Sequence, residues 1–209
     1  MRSQIVRALG SVALFTLGTV PAVAETDHGW RLKLTGVSVQ STASDAPNGD
    51  AGAGLGLEYR VSRHIGVELD ALTSELEDSQ TLGFFALTLE TSLKVTPVLA
   101  RLNLHLTPGH PVDFYLGPVV GWMRYGDIEI RFRGGDFPSD QTFRVPTRDT
   151  FAWGGHFGVD LPLGARGLFL TGGATYLKAE VETKPDDFVE PGSFDLDPLI
   201  AHLGVGYRF

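Results

Sequence analysis

Along most of this chain apolar residues stand at every second position. The C-terminal segment shows it most clearly. Leu199, Ala201, Leu203, Val205, Tyr207 and Phe209 are apolar, and His202, Gly204, Gly206 and Arg208 lie between them. A period of two is that of a β-strand, whose successive side chains point to opposite faces. Seven earlier segments show the same pattern. In the first, Trp30, Leu32 and Leu34 oppose Arg31, Lys33 and Thr35, and a change of phase at Gly36 onto Val37 and Val39 predicts a bulge. The second sets Leu55, Leu57 and Tyr59 against Gly54, Gly56, Glu58 and Arg60. The third sets Ile65, Val67, Leu69 and Ala71 against Gly66, Glu68 and Asp70. In the fourth, Ala100, Leu102, Leu104 and Leu106 oppose Arg101, Asn103 and His105. The fifth pairs Leu116, Pro118, Val120 and Trp122 with Tyr115, Gly117, Val119 and Gly121. The sixth has Phe151, Trp153, Phe157 and Val159 against Gly154, His156, Gly158 and Asp160, and the seventh Leu168, Leu170, Ala174 and Tyr176 against Thr171, Gly173 and Thr175.

A tilted strand of about ten residues crosses a bilayer. These segments have that length, and their second face is unusual. It is rich in glycine and carries single charges of both signs, which suits a narrow barrel interior. The connections alternate as well. Those near residues 61–64, 107–113 and 161–167 are short, whereas those near 40–51, 73–93, 126–149 and 178–193 are long and polar. Short periplasmic turns against long outer loops is the pattern of bacterial outer-membrane barrels, and an even strand count brings both termini to the periplasmic side. A last strand that runs to the final residue suits a barrel, because it must pair with the first. The expected fold is therefore all-β: an eight-stranded antiparallel transmembrane β-barrel of up-and-down topology.

The N-terminus predicts export. Arg2 and Arg7 precede an uncharged, mostly apolar run from Ala8 to Val20, and Pro21 leads into Ala22-Val23-Ala24. That is a secretory signal peptide over residues 1–24, too short to span a membrane. Residues 25–209 then form a single barrel domain. The leader removes two of 17 basic residues and none of 25 acidic ones, leaving 15 against 25, a net charge of −10. That sign disfavours nucleic acid as a partner. The chain has no cysteine, which excludes disulfides, thiolate metal sites and a cysteine nucleophile. His105, His156 and His202 share the inward parity, but on non-adjacent strands, so they are read as satisfied interior histidines and not as a metal site. No nucleophile stands beside a base, and neither catalysis nor a cofactor is expected.

Phe194-Asp195-Leu196-Asp197-Pro198-Leu199, followed by Gly204-Val205-Gly206-Tyr207-Arg208-Phe209, resembles the end of OmpW-family outer-membrane proteins. Gly158-Val159-Asp160, Thr96-Pro97 and Phe114-Tyr115-Leu116-Gly117-Pro118 are similar to that family too, although Pro97 stands alone where the family has a proline pair. The resemblance implies a narrow, partly apolar channel that helps small hydrophobic molecules cross the outer membrane. Eight strands leave room only for side chains or one small ligand, which excludes a wide water-filled pore. Leu99, Val119, Met123, Phe169 and Ile200 fall on the inward parity and are the expected channel lining, with plain interior packing as the alternative.

Arg31, Lys33, Glu58, Arg60, Glu68, Asp70, Arg101, Asp160 and Arg208 also face inward, with His105, His156 and His202. A lone charge in a confined interior is costly, so these groups are expected to pair into a polar network that closes the periplasmic half and favours lateral exit into the bilayer. Leu203, Val205, Tyr207 and Phe209 resemble the signal read by the barrel-assembly machinery. Arg131, Arg133, Arg144 and Arg148 in the third long loop are set to meet lipopolysaccharide phosphates, or simply to form a solvated hairpin. The competing function is a non-transporting barrel whose extracellular loops bind a partner or lipopolysaccharide.

Overall fold

The computed structural model describes residues 28–42, 48–49, 51–82, 87–133, 141–164, 167–184 and 192–209. The expected leader, residues 1–24, lies outside this set. Eight long strands follow in order: β1 (Gly29–Ser41), β2 (Ala51–Ser62), β3 (Ile65–Leu82), β4 (Leu87–His105), β5 (Asp113–Tyr125), β6 (Thr150–Pro162), β7 (Leu168–Lys178) and β8 (Pro198–Arg208). Each pairs antiparallel with the next, and β1 pairs with β8, so the sheet closes into an up-and-down barrel. Closure leaves no open edge in the wall, the only way a sheet can stand in hydrocarbon.

The alternation sorts side chains across that wall. Leu34, Leu69 and Leu203 are 60%, 59% and 64% exposed, on an outer face whose apolar side chains have no protein cover. An outward apolar band of this kind is the surface a bilayer requires. Aromatic rings gather at both of its margins. Trp30 packs on Tyr59 at 4.8 Å and Tyr207 on Phe209 at 5.3 Å near the chain ends, while Trp122 meets Phe151 edge-on at 5.7 Å at the opposite rim. Amphipathic rings favour the two bilayer interfaces.

The interior is filled by size matching. A Cβ added at Gly158 would come 2.3 Å from Tyr115 Cζ, and one at Gly206 would come 2.1 Å from Phe169 Cζ. Each large ring is therefore accommodated by a residue without a side chain.

Two expectations are corrected. β1 contains no bulge. Its pairing runs unbroken from Arg31↔Arg208 to Ser41↔Pro198 and from Gly29↔Arg60 to Ser38↔Ala51. Val37 and Val39 consequently point inward and are buried. The apparent phase change arises because the interior itself turns apolar at that height. The register shift lies instead between Arg60 and Ser62, at the tight turn into β3.

The second correction concerns the connection near 73–93, which is a strand hairpin and not a loop. β3 and β4 are 18 and 19 residues long and stay paired from Ile65↔Leu104 to Leu82↔Leu87. Crossing a bilayer takes only about ten residues, so this ladder projects beyond the wall. Ile128–Arg133 pairs with β4, and Gln141–Val145 pairs with Ile128–Arg133, completing a four-stranded extension. The long connections share one end of the barrel, called here the long-hairpin end. The other is the short-turn end.

Candidate functional site

Inward positions near the short-turn end carry charge because β1 to β4 begin or finish there with alternating ionic residues. They meet in one network. Lys33 Nζ lies 2.7 Å from Glu68 and 3.2 Å from Glu58. Arg101 Nε stands 3.2 Å from Asp70, with Nη1 3.8 Å from Glu68. Arg31 Nη1 reaches Asp160 at 3.2 Å. His105 bridges Glu58 at 2.8 Å and Asp113 at 2.9 Å through its two ring nitrogens, and Arg60 pairs with Asp113. Asn103 donates to Glu68 at 2.7 Å. The Tyr115 hydroxyl accepts from Lys33 Nζ at 3.5 Å and lies 3.3 Å from Thr171 Oγ1. Lys33 also sits 4.8 Å from the Tyr115 ring centroid.

Asp113, Asn103, Tyr115 and Thr171 are members that sequence reasoning left out of the network. Asp113 lies at the end of a short connection, yet it has the same parity as Tyr115, which was the signal available. With Asp113 included, Arg31, Lys33, Arg60, Arg101 and Arg208 face Glu58, Glu68, Asp70, Asp113 and Asp160, five charges of each sign. Arg208 is half-buried opposite Arg31 on β8. His156 and His202 lie apart from the ion pairs. The His156 ring is 6.0 Å from Tyr115, and His202 borders a cavity of about 10 Å³ shared with Lys33, Thr35, Glu68, Asp70, Leu72 and Arg101. That volume suits a single water molecule.

Toward the long-hairpin end the same inward positions become apolar. Leu99, Val119, Met123 and Ile200 pack with Val37, Val39, Leu72, Leu76, Leu93 and Val95 in one cluster, all but sealed from solvent. Phe169 does not join them. It lies at the short-turn end, against Gly206 and 5.7 Å from the Arg31 guanidinium. Parity fixes which way a side chain points but not its height, and height separates Phe169 from the other four. Ala179, Val181 and Leu196, from the segment between β7 and β8, complete the cluster at its open end.

The projecting extension has two unlike faces. Cross-strand pairing puts Leu89, Ile130, Phe132 and Phe143 on the face that continues the barrel interior, with the Phe132 and Phe143 rings edge-on at 5.7 Å. Glu75, Glu77, Glu90, Glu129, Arg131 and Arg144 occupy the other face. Arg131 donates to Glu129 at 2.9 Å and Arg144 at 3.1 Å. The Arg131 hydrogen bond, helped by the Arg144 charge, holds the Glu129 carboxyl below its usual range. These two arginines are thus engaged within the hairpin. Arg148 is exposed, and the Arg133 side chain lies outside the described residues.

Leu203, Val205 and Tyr207 stand on the outer face of β8, and Phe209, directly after it, is likewise exposed. That strand is paired on both sides, and the Phe209 amide donates to the Trp30 carbonyl at 3.0 Å.

Comparison with known proteins gives a consistent picture. OprG of Pseudomonas aeruginosa, an outer-membrane protein, superposes with a TM-score of 0.63 at 16% identity, over 87% of this chain and 96% of that one. The outer-membrane protein AlkL, solved in lipid bilayers, gives 0.56 at 17% identity, over 93% and 97%. Neisserial surface protein A gives 0.51 at 14% identity, over 88% and 96%. At such identities these likenesses establish the fold. None of the curated proteins matches the chain. The profile of the outer membrane protein beta-barrel domain, however, matches residues 10–209, nearly the whole sequence, and the chain belongs to that family.

Proposed function

We propose that this barrel is of the OmpW type and carries small hydrophobic molecules across the outer membrane. One observation carries the reading. Ile130, Phe132 and Phe143 on the extension share the inward side with Ile128, which packs against the cluster of Leu93, Val95 and Leu99, and the apolar lining of the barrel gives way to the ion network. A hydrophobic solute can follow that surface, whereas an ion would exchange water for hydrocarbon at a cost of several kcal/mol or more. The network blocks a straight path for the solute as well, so it leaves sideways through the wall into the lipid.

In this reading the long hairpins face outward among lipopolysaccharide, and the chain ends are periplasmic. The leader is removed after residue 24, which leaves one barrel domain. The outer face of β8, ending at Phe209, is what the assembly machinery reads.

The test is uptake of an apolar compound by cells with and without the protein. Leu99, Met123 and Ile200 are each at most 1% exposed. Aspartate at any of them should reduce uptake, because a buried carboxylate makes an apolar path expensive to enter. Folding is checked by the mobility shift between unheated and boiled samples in detergent. Unchanged uptake by folded variants refutes the conduit.

A second reading rests on the dense packing of the interior. A barrel plugged by ion pairs below and by Ala179, Val181 and Leu196 above is also a suitable non-transporting scaffold. The charged face of the extension, with Glu75, Glu77 and Glu90, would then be its working surface.

A further inference from the structure

Of the arginines expected to meet lipopolysaccharide phosphates, Arg131 and Arg144 are engaged by Glu129, and Arg148 stands opposite Glu182. Two other cations lie nearer the lipid. Lys94 on β4 and Arg124 on β5 are exposed at the long-hairpin rim of the wall. Both point outward, because Leu93, Val95 and Met123 beside them in the chain are buried within the barrel. Thr96 shares their face and is the register partner of Arg124. The Gly126 amide donates to the Lys94 carbonyl at 2.8 Å, and a Cβ on Gly126 would come 3.3 Å from Lys94 Cβ, so the glycine leaves the lysine room.

Neither cation is committed to a strong partner. Among the described residues no ion pair engages Lys94, whose cross-strand neighbour is Glu75. Arg124 reaches Asp149 only at 3.7 Å, with 68% and 52% of the two side chains exposed. A solvated contact of that kind contributes little. The outward row thus reads Glu75, Lys94, Arg124, Asp149, two adjacent cations bracketed by carboxylates. It suits a single anionic group at its centre and repels a broad anionic surface. Below it Val98, Val120, Trp122, Phe151 and Trp153 are all exposed, and the pairs Val98↔Trp122, Trp122↔Phe151 and Val120↔Trp153 join them into one apolar surface. Other parts of the rim lack this combination. Lys178 is held by Asp197, and β1 presents Ser38 and Gln40 outward.

We infer that the β4–β6 rim is a docking site for a phosphorylated acyl lipid of the lipid A kind. Lys94, Arg124 and the Thr96 hydroxyl donate to one phosphate, through the charge-assisted hydrogen bonds that such groups form. The acyl chains lie along Val98, Trp122, Phe151 and Trp153, rings that favour the boundary between head groups and hydrocarbon. Lipid A is the occupant because, in the orientation proposed for this barrel, the long-hairpin end faces outward among lipopolysaccharide. The site does not depend on the conduit.

In a neutral detergent, diphosphoryl lipid A should bind the purified barrel and change the emission of Trp122 and Trp153, with Trp30 at the other end as a constant background. Lys94→Gln and Arg124→Gln should each weaken binding about tenfold. Arg131→Gln and Arg144→Gln should leave it unchanged. Lipid A stripped of its phosphates should bind as weakly as the Lys94→Gln/Arg124→Gln double variant. Every variant is checked for its heat-dependent mobility shift. Binding that survives the double change, or that ignores the phosphates, overturns the site. Displacement of lipid A by an equal concentration of inorganic phosphate also overturns it, since the acyl chains would then contribute nothing. The chain has no cysteine, so a single Glu77→Cys thiol reports orientation through a membrane-impermeant maleimide on intact cells. Labelling only after the cells are broken refutes the outward orientation, and with it lipid A as the natural occupant, whatever the binding in detergent.

Discussion

Glu68 joins Lys33, Arg101 and Asn103 in the ion network, and its removal tests whether the polar layer holds the barrel together. It faces Lys33 at 2.7 Å and Arg101 at 3.8 Å, accepts from Asn103 at 2.7 Å, and is 1% exposed. Removing one partner from a buried ion pair costs about 3–5 kcal/mol, because the other charge stays behind uncompensated. Two features place Glu68→Ala at the low end of that range. Lys33 keeps Glu58 at 3.2 Å, and Arg101 keeps Asp70 at 3.2 Å. A loss of about 3 kcal/mol is expected, and at a typical slope of about 2 kcal/mol per molar urea the midpoint should fall by about 1.5 M. Glu68→Gln keeps an acceptor for Asn103 and should lose about half as much. Trp30, Trp122 and Trp153 all lie on the outer face, so their fluorescence reports unfolding out of lipid vesicles. Lys33→Met in the Glu68→Ala background should cost less than the two single losses added together, since the stranded cation is gone. A Glu68→Ala barrel within about 0.5 kcal/mol of the parent would show that the network is not stabilising as argued.

Three further outcomes are expected. Gly158→Ala forces a methyl group into the Tyr115 ring and should cost about 1–3 kcal/mol by the same urea assay, partly recovered by Tyr115→Leu. Glu129, with its pKa depressed by Arg131 and Arg144, stabilises the projecting hairpin above its unfolded pKa of about 4.3, and that contribution is lost as pH falls through its lower folded value. Hydrogen-exchange protection of Arg131 and Arg144 should drop there, and Glu129→Gln should abolish the pH dependence. Phe209→Asp should lower the yield of heat-modifiable barrel in the membrane more than the loss of one exposed side chain explains, and normal assembly would remove the role given to the terminal strand.

The fold was legible because a period of two survives every local irregularity, and glycine opposite charge marks a narrow lumen. Inward direction was readable too, as Lys33, Glu68 and Arg101 illustrate. Height was not. Phe169 and Ile200 share parity on neighbouring strands but lie at opposite ends, and only the strand registers separate them. Val37 and Val39 mimic a bulge in the sequence because an apolar lumen half erases the contrast between the faces. The hairpin near 73–93 looked like a loop because its outer face, with Glu75 and Glu77, carries the polarity of a connection. Asp197 holds a left-handed backbone, φ 40°, paired with Lys178 and hydrogen-bonded to the Ala179 amide and Thr42 Oγ1, and nothing in the sequence around it announces that angle.

The match of Tyr115 to Gly158 bears on how the wall finds its alignment. In lipid a strand can slide by two residues and keep every apolar side chain facing outward, so the bilayer cannot tell the right alignment from that wrong one. Volume can. Moved two positions either way along β6, the Tyr115 ring would meet His156 or Asp160 where Gly158 now leaves space. Such empty positions act as keyways that admit one stagger and reject its neighbours. Their loss should yield closed barrels of the wrong shear before it yields unfolded chains.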